Sequence, residues 1–185
     1  SPLICPKKAV KINTSYLTVE MVLQKALNAY YKKVKEMRPV YRLVCFLIRI
    51  FVKLFYRLEI HGVKNFRPGP ALLAVNHGSY LDPPLVAIIC PEEVHFLARA
   101  SLFRYRFFAK FITLLNSHPI ASGVADRRIF KQIDALIKEG KKVVLFPEGT
   151  RSITGEVSKI LPGIGFLESF TGAAIIPTYI YGAYE

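Results

Sequence analysis

Two short polar stretches interrupt an otherwise apolar chain, and they hold residue types that do acid–base and phosphate chemistry. The first, NHGSYLD, runs from Asn76 to Asp82 directly after the apolar run Ala71–Val75. The second, PEGTRS, runs from Pro147 to Ser152 directly after Lys142–Phe146. His77 and Asp82 stand five residues apart. On one continuous helix they would point about 140° away from each other, so a helix cannot pair them. With His77 in a strand-end loop and Asp82 capping the next helix, the chain doubles back and the two can meet. A carboxylate on one imidazole nitrogen fixes the tautomer and raises the basicity of the other, which makes a general base. Such a base can activate a serine or take the proton of a substrate hydroxyl. Ser79 lies in the same loop, but the strand–Gly-x-Ser-x-Gly–helix elbow that presents a serine nucleophile is absent from the sequence. A substrate hydroxyl is therefore the preferred nucleophile. The plainer alternative is a buried histidine bonded to a helix cap.

In the second stretch, Gly149 permits close backbone approach, Arg151 can hold a phosphate bidentately, and Thr150 can donate a hydrogen bond. Glu148 can orient Arg151 or contact an acceptor hydroxyl. The alternative is a turn that merely leaves a strand.

The elements that must position these loops are legible from periodicity. Ala71–Val75, Val94–Ala98, Lys142–Phe146 and Ala174–Ile180 read as strands. Between them, helices are expected from Asp82 onward, with Asp82 as cap and Pro83 in the first turn, then over Ser101–Leu115, Ala125–Glu139 (ending at Gly140) and Gly163–Phe170. The alternation predicts an α/β three-layer sandwich around a mostly parallel or mixed sheet, with the site past the carboxyl ends of the strands. Ahead of it, Thr14–Met37 reads as a basic helix. Pro39 then opens a second helix, from Val40 to about Leu58. Arg42, Arg49, Lys53 and Arg57 form a stripe about 80° wide on that helix, and the rest is mostly apolar. That pattern suits a helix lying in the headgroup plane of a membrane; the alternative is a core helix with a solvated edge. Residues 1–58 are thus expected to be membrane-surface helices, and 59–185 the α/β domain.

Composition narrows the classes further. The 185 residues are 52% apolar with 26 Lys plus Arg against 13 Asp plus Glu, a net charge of +13. The apolar content excludes disorder. Three scattered cysteines make neither a disulfide framework nor a paired-cysteine zinc pattern, and no metal is expected. A basic chain seeks polyanions, and one that is also strongly apolar favours an anionic membrane surface over nucleic acid. Interleaved basic and aromatic residues keep a nucleic-acid-binding module as an alternative, without any recognised motif for one. No run of 18 uncharged apolar residues reads as a span, and no signal peptide is readable. A peripheral or monotopic position on the cytoplasmic face of a membrane is the expectation.

Taken together, NHGSYLD and FPEGTRS, with His77 and Glu148 71 residues apart, resemble the glycerolipid acyltransferases typified by lysophosphatidic acid acyltransferase. The resemblance runs from about Gly69 to Ile180 and includes AIIPTYI around Pro177 and HFLARASLF, where relatives usually carry Lys at the position of Arg99. It implies His77 as general base, Asp82 as its orienting partner, and Arg99, Glu148, Gly149, Thr150, Arg151 and Pro177 as substrate-binding residues. The reaction it implies is direct attack of a lysophospholipid hydroxyl on an acyl thioester. The expected acceptor is 1-acyl-glycerol-3-phosphate, giving phosphatidic acid. Acyl-CoA or acyl-carrier protein is the donor substrate, with no further cofactor. The chain departs from the family where a basic pair is expected at Ala121 and Ser122, and where Leu161 replaces a lysine; Arg99, Arg127, Arg128 and Lys159 can compensate. These departures leave open another lysolipid acceptor, or a noncatalytic lipid-binding relative. Relatives also continue past the Pro177 strand, so the α/β domain is read as one open to truncation at its C-terminal end.

Overall fold

The computed structural model describes residues 37–66, 68–120 and 127–184, with Thr18, Met21 and Asn28 before them. The expected helix over Thr14–Met37 lies almost wholly outside the described residues. Five strands form one sheet: β1 (Ala71–Val75), β2 (Val94–Arg99), β3 (Ser117–Ile120), β4 (Lys142–Leu145) and β5 (Ala174–Thr178). The helices are α1 (Pro39–Phe55), α2 (Asp82–Ile89), α3 (Arg106–Leu114), α4 (Arg127–Lys138) and α5 (Gly163–Thr171).

The strand order is β3-β2-β4-β1-β5, and every neighbouring pair is parallel. All carboxyl ends therefore face one edge. Alternate residues sort to the two faces, as a pleated strand requires. Ala71, Leu73, Val75, Val94, Phe96 and Val144 pack with Val86, Ala87 and Ile88 of α2 and with Tyr41, Cys45 and Val52 of α1. Leu72 and Val143 pack on the other face with Ile133, Leu136 and Ile137 of α4 and Leu167 of α5. Three layers result, with β1 and β4 at the centre.

Two elements differ from the sequence expectation. β3 reads SHPI, too short and too polar to register as a strand. It forms at the sheet edge, where Pro119 and half-exposed side chains are tolerated. The single helix expected over Ser101–Leu115 is a 3-10 turn, Ala100–Arg104, followed by α3. Further on, Asn116, buried and in the left-handed region at φ 62°, turns the chain into β3.

Pro39 occupies the first turn of α1, where its missing N–H is no loss. One side of α1 is packed: Cys45 lies against the Ala87 carbonyl, and Arg49 Nε donates to the Ile88 carbonyl at 3.1 Å, at the negative end of α2. The opposite side leaves Leu43, Phe46, Leu47, Ile50, Leu54 and Phe55 exposed. The cationic stripe thus borders the packed face instead of opposing it. Arg38 fixes the start of α1 by donating to Glu93 Oε2 at 2.9 Å and to the Leu114 carbonyl at 3.0 Å. Among the described residues no helix is long and apolar enough to cross a membrane.

Candidate active site

The site is assembled where β1 and β4, neighbours in the sheet, end together. Past Val75, the Asn76 side chain makes two bonds to one residue beyond β5: its Nδ2 donates to the Ile180 carbonyl (2.9 Å), and its Oδ1 accepts from the Ile180 N–H (2.7 Å). This pins the exit of β1 before the chain reaches His77.

His77 Nδ1 lies 2.8 Å from Asp82 Oδ2. The same oxygen accepts the N–H groups of Gly78 and Ser79, each at 2.8 Å. Asp82 is fully buried, at 0% exposure. It is the first residue of α2 and not its cap: Leu81 holds that position, and the carboxylate turns back over the preceding loop. This placement of the carboxylate has a simple cause. Three donors converge on Oδ2 from the loop, and the positive end of α2 favours a carboxylate there without a capping bond. The contact selects the Nδ1–H tautomer and leaves Nε2 as the basic nitrogen. The imidazole stacks on Phe146 of the neighbouring strand end, centroids 4.1 Å apart and planes 23° apart. Two fixed contacts therefore define the ring plane.

Ser79 Oγ accepts the N–H of Leu81 at 3.2 Å and, among the described residues, makes no hydrogen bond to the His77 ring. That geometry favours an external hydroxyl as the group His77 would deprotonate. Because Asp82 already engages the N–H groups of Gly78 and Ser79, an oxyanion would draw on other donors.

The second loop holds the first from behind. Glu148, 7% exposed, accepts the His77 N–H through Oε1 and the Ser158 N–H through Oε2, each at 2.7 Å. The N–H of Ser152 returns a bond to the His77 carbonyl at 2.7 Å. Glu148 thus fastens backbone to backbone, and no hydrogen bond or ion pair joins it to Arg151. The turn requires Gly149, whose φ is 73°. An added Cβ would also come within 3.0 Å of Leu161, the position where a family lysine was expected.

Arg151 lies instead across Tyr80 of the first loop, its guanidinium carbon 3.7 Å from the ring centroid. Thr150 is exposed on the same turn. Arg99, at the carboxyl end of β2, is exposed on the same edge of the sheet, and no described residue bonds it to either loop. Pro177 sits in edge strand β5, paired with Ala74. Ala121 and Ser122 lie outside the described residues. His118 lies in β3, its Nε2 2.9 Å from His95 Nδ1.

Sequence reasoning missed four contributors: Asn76, Tyr80, Phe146 and Tyr184. The first three stood inside or beside the two motifs without a role. Tyr184 left a fainter signal in two glycines. A Cβ at Gly155 (φ 82°) would fall 2.8 Å from the Tyr184 ring, and Gly78 faces the Tyr184 Cβ.

The sequence profile of the family described as Acyltransferase matches residues 57–181, more than half of the chain and both of the loops just described. The chain belongs to the acyltransferase family. It is 26% identical over 132 residues to the chloroplastic 1-acyl-sn-glycerol-3-phosphate acyltransferase of Arabidopsis thaliana, a match covering 69% of this chain and 37% of that protein. It is 22% identical over 144 residues to the 1-acyl-sn-glycerol-3-phosphate acyltransferase of Bacillus subtilis, covering 77% of this chain and 71% of the other. The chain thus spans little more than a third of the plant relative's length. In fold it resembles the crystal structure of the 1-acyl-sn-glycerophosphate acyltransferase PlsC from Thermotoga maritima. The TM-score is 0.67 at 24% identity, over 86% of this chain and 68% of that one.

Proposed function

We propose that this acyltransferase-family chain transfers a fatty acyl group from an acyl thioester, acyl-CoA or acyl-carrier protein, to the free hydroxyl of a lysophospholipid. The acceptor named by this reading is 1-acyl-glycerol-3-phosphate, and the product is phosphatidic acid. His77 Nε2 takes the hydroxyl proton as the oxygen attacks the thioester carbonyl. The new O–C bond forms, the C–S bond breaks, and the proton passes to the departing thiolate. Asp82 stabilises the imidazolium that forms in between. Arg151 holds the acceptor phosphate. Arg99, Thr150, Gly149 and Pro177 lie on the edge of the sheet or the turn that the substrate would meet.

One observation carries this reading. The His77–Asp82 pair is closed at 2.8 Å on the open carboxyl edge of the sheet, and the FPEGTRS loop holds the backbone of the same histidine. The names of the relatives support the choice of acceptor. A membrane surface as partner is supported by the exposed apolar side of α1 and by α3, where Phe107 is 94% exposed between Arg106 and Lys110. Arg38 ties the start of α1 to the end of α3. An anionic leaflet matches the net charge of +13.

The test is thiol release by the full chain from acyl-CoA and from acyl-carrier protein, against a panel of lysolipids. His77→Ala is expected to lower the rate about 100- to 10,000-fold while leaving thermal unfolding and vesicle binding in place. Turnover that survives the substitution refutes the mechanism.

A further inference from the structure

We propose that Tyr80 is a positioning residue for Arg151, holding its guanidinium ready for the acceptor phosphate; the inference rests on the reading of Arg151 given above. From the sequence, Glu148 was open to two roles, orienting this arginine or contacting an acceptor hydroxyl. Both Glu148 oxygens are instead engaged by backbone N–H groups. Among the described residues no carboxylate pairs with Arg151. What holds it is Tyr80, in two ways. The guanidinium carbon lies 3.7 Å from the ring centroid, and Nη2 donates to the phenolic oxygen at 2.8 Å.

The choice of an aromatic partner has a consequence for an anionic ligand. A carboxylate would orient the guanidinium but neutralise it, and an incoming phosphate would have to displace that carboxylate. A ring orients the flat group through its π face and leaves the positive charge intact. One of the five N–H donors goes to Tyr80, which leaves four for phosphate oxygens. The side chain is also ordered before the ligand arrives, so less freedom is lost on binding.

Tyr80 is well placed to act as a ruler. Its neighbours Ser79 and Leu81 are fixed by the turn that holds His77, through the Ser79 N–H to Asp82 and the Leu81 N–H to Ser79 Oγ. The base and the phosphate cradle are therefore set on one seven-residue loop, although Arg151 itself belongs to the other. The reach from hydroxyl to phosphate in the acceptor would be read against that loop.

The experiment is steady-state kinetics of the full chain with 1-acyl-glycerol-3-phosphate as the varied substrate, for Tyr80→Ala, Tyr80→Phe, Arg151→Gln and the double variant Tyr80→Ala/Arg151→Gln. Tyr80 is 76% exposed, so its replacements leave the core untouched; circular dichroism checks this. Tyr80→Ala should raise KM about 3- to 10-fold with kcat within about twofold. Tyr80→Phe keeps the ring and should recover most of that loss. In the Arg151→Gln background, Tyr80→Ala should have no further effect, because the two act as one unit. If Arg151→Gln leaves KM unchanged, the phosphate reading of Arg151 falls. If Arg151→Gln raises KM but Tyr80→Ala leaves it unchanged or lowers it, the positioning role alone is overturned. Additive effects in the double variant overturn it too.

Discussion

Glu148→Gln separates a fastener from a substrate ligand, and the structure sets the size of its effect. The carboxylate accepts one N–H on each oxygen, His77 on Oε1 and Ser158 on Oε2, both at 2.7 Å, in a site 7% exposed. Glutamine has the same shape but one oxygen. Whichever way its amide turns, an NH2 group is pressed against a backbone N–H. One charge-assisted bond, typically 1.5–3 kcal/mol, is lost outright, and a buried donor is left unpaired. The expected destabilisation is about 2–4 kcal/mol, or a fall in Tm of about 4–16 °C for a chain of this size. If relief comes at His77, its ring moves with its backbone, and for the proposed base a displacement near 1 Å would cost about 100-fold in rate. Differential scanning calorimetry, hydrogen exchange at the His77 and Ser158 amides, and kcat/KM measure the three consequences together. A residue that only touched the acceptor would raise KM and leave Tm and exchange alone. A Gln variant with the parent's Tm and parent-like exchange at both amides would overturn the fastening role of Glu148.

Two further outcomes follow from groups away from the site. Burial, and then the charges of His118 and Lys141, press His95 down to about 4, with Arg38 adding to the effect and Glu93 opposing it. Burial lowers His118 as well, against the pull of Glu139. The folded His95 stays neutral down to about 4, while an unfolded histidine titrates near 6.5, so the unfolded chain binds more protons between the two values. Stability should be complete above about pH 6.5 and fall toward pH 4, by on the order of 3 kcal/mol from His95. His95→Gln should flatten that part of the Tm–pH curve, and an unchanged slope would count against the pair as its source. At the opposite edge of the sheet from His77, the fully buried Lys142 donates to the Gly69 carbonyl and lies 3.5 Å from Glu92. Lys142→Ala should cost about 3–5 kcal/mol, less for Lys142→Met, with activity per folded molecule unchanged. Melting within about 1 °C of the parent would contradict that role.

Much of the architecture was legible because burial on both faces leaves a mark in composition. ALLAV and the VVLF of β4 and its exit are continuous apolar runs, and only a strand covered by helices on both sides needs one. SHPI carries no such mark, because an edge strand is half-exposed and its identity as a strand comes from pairing with Phe96–Arg99. The histidine–aspartate spacing likewise announced a bonded pair at a strand end, and the Pro-Glu-Gly-Thr-Arg-Ser turn announced a second loop at the same edge.

The sequence by itself therefore determined the alternating α/β order, the two loops, and the pairing of His77 with Asp82, since residue type and short spacing suffice for local chemistry. Tertiary structure alone decided what the second loop does. Glu148 and Arg151 sit three residues apart, yet one is buried under backbone donors and the other lies on a tyrosine 71 positions earlier. Which of two nearby charges faces inward depends on the donors that β1 and β4 bring together from distant parts of the chain, and neither type nor spacing records that encounter.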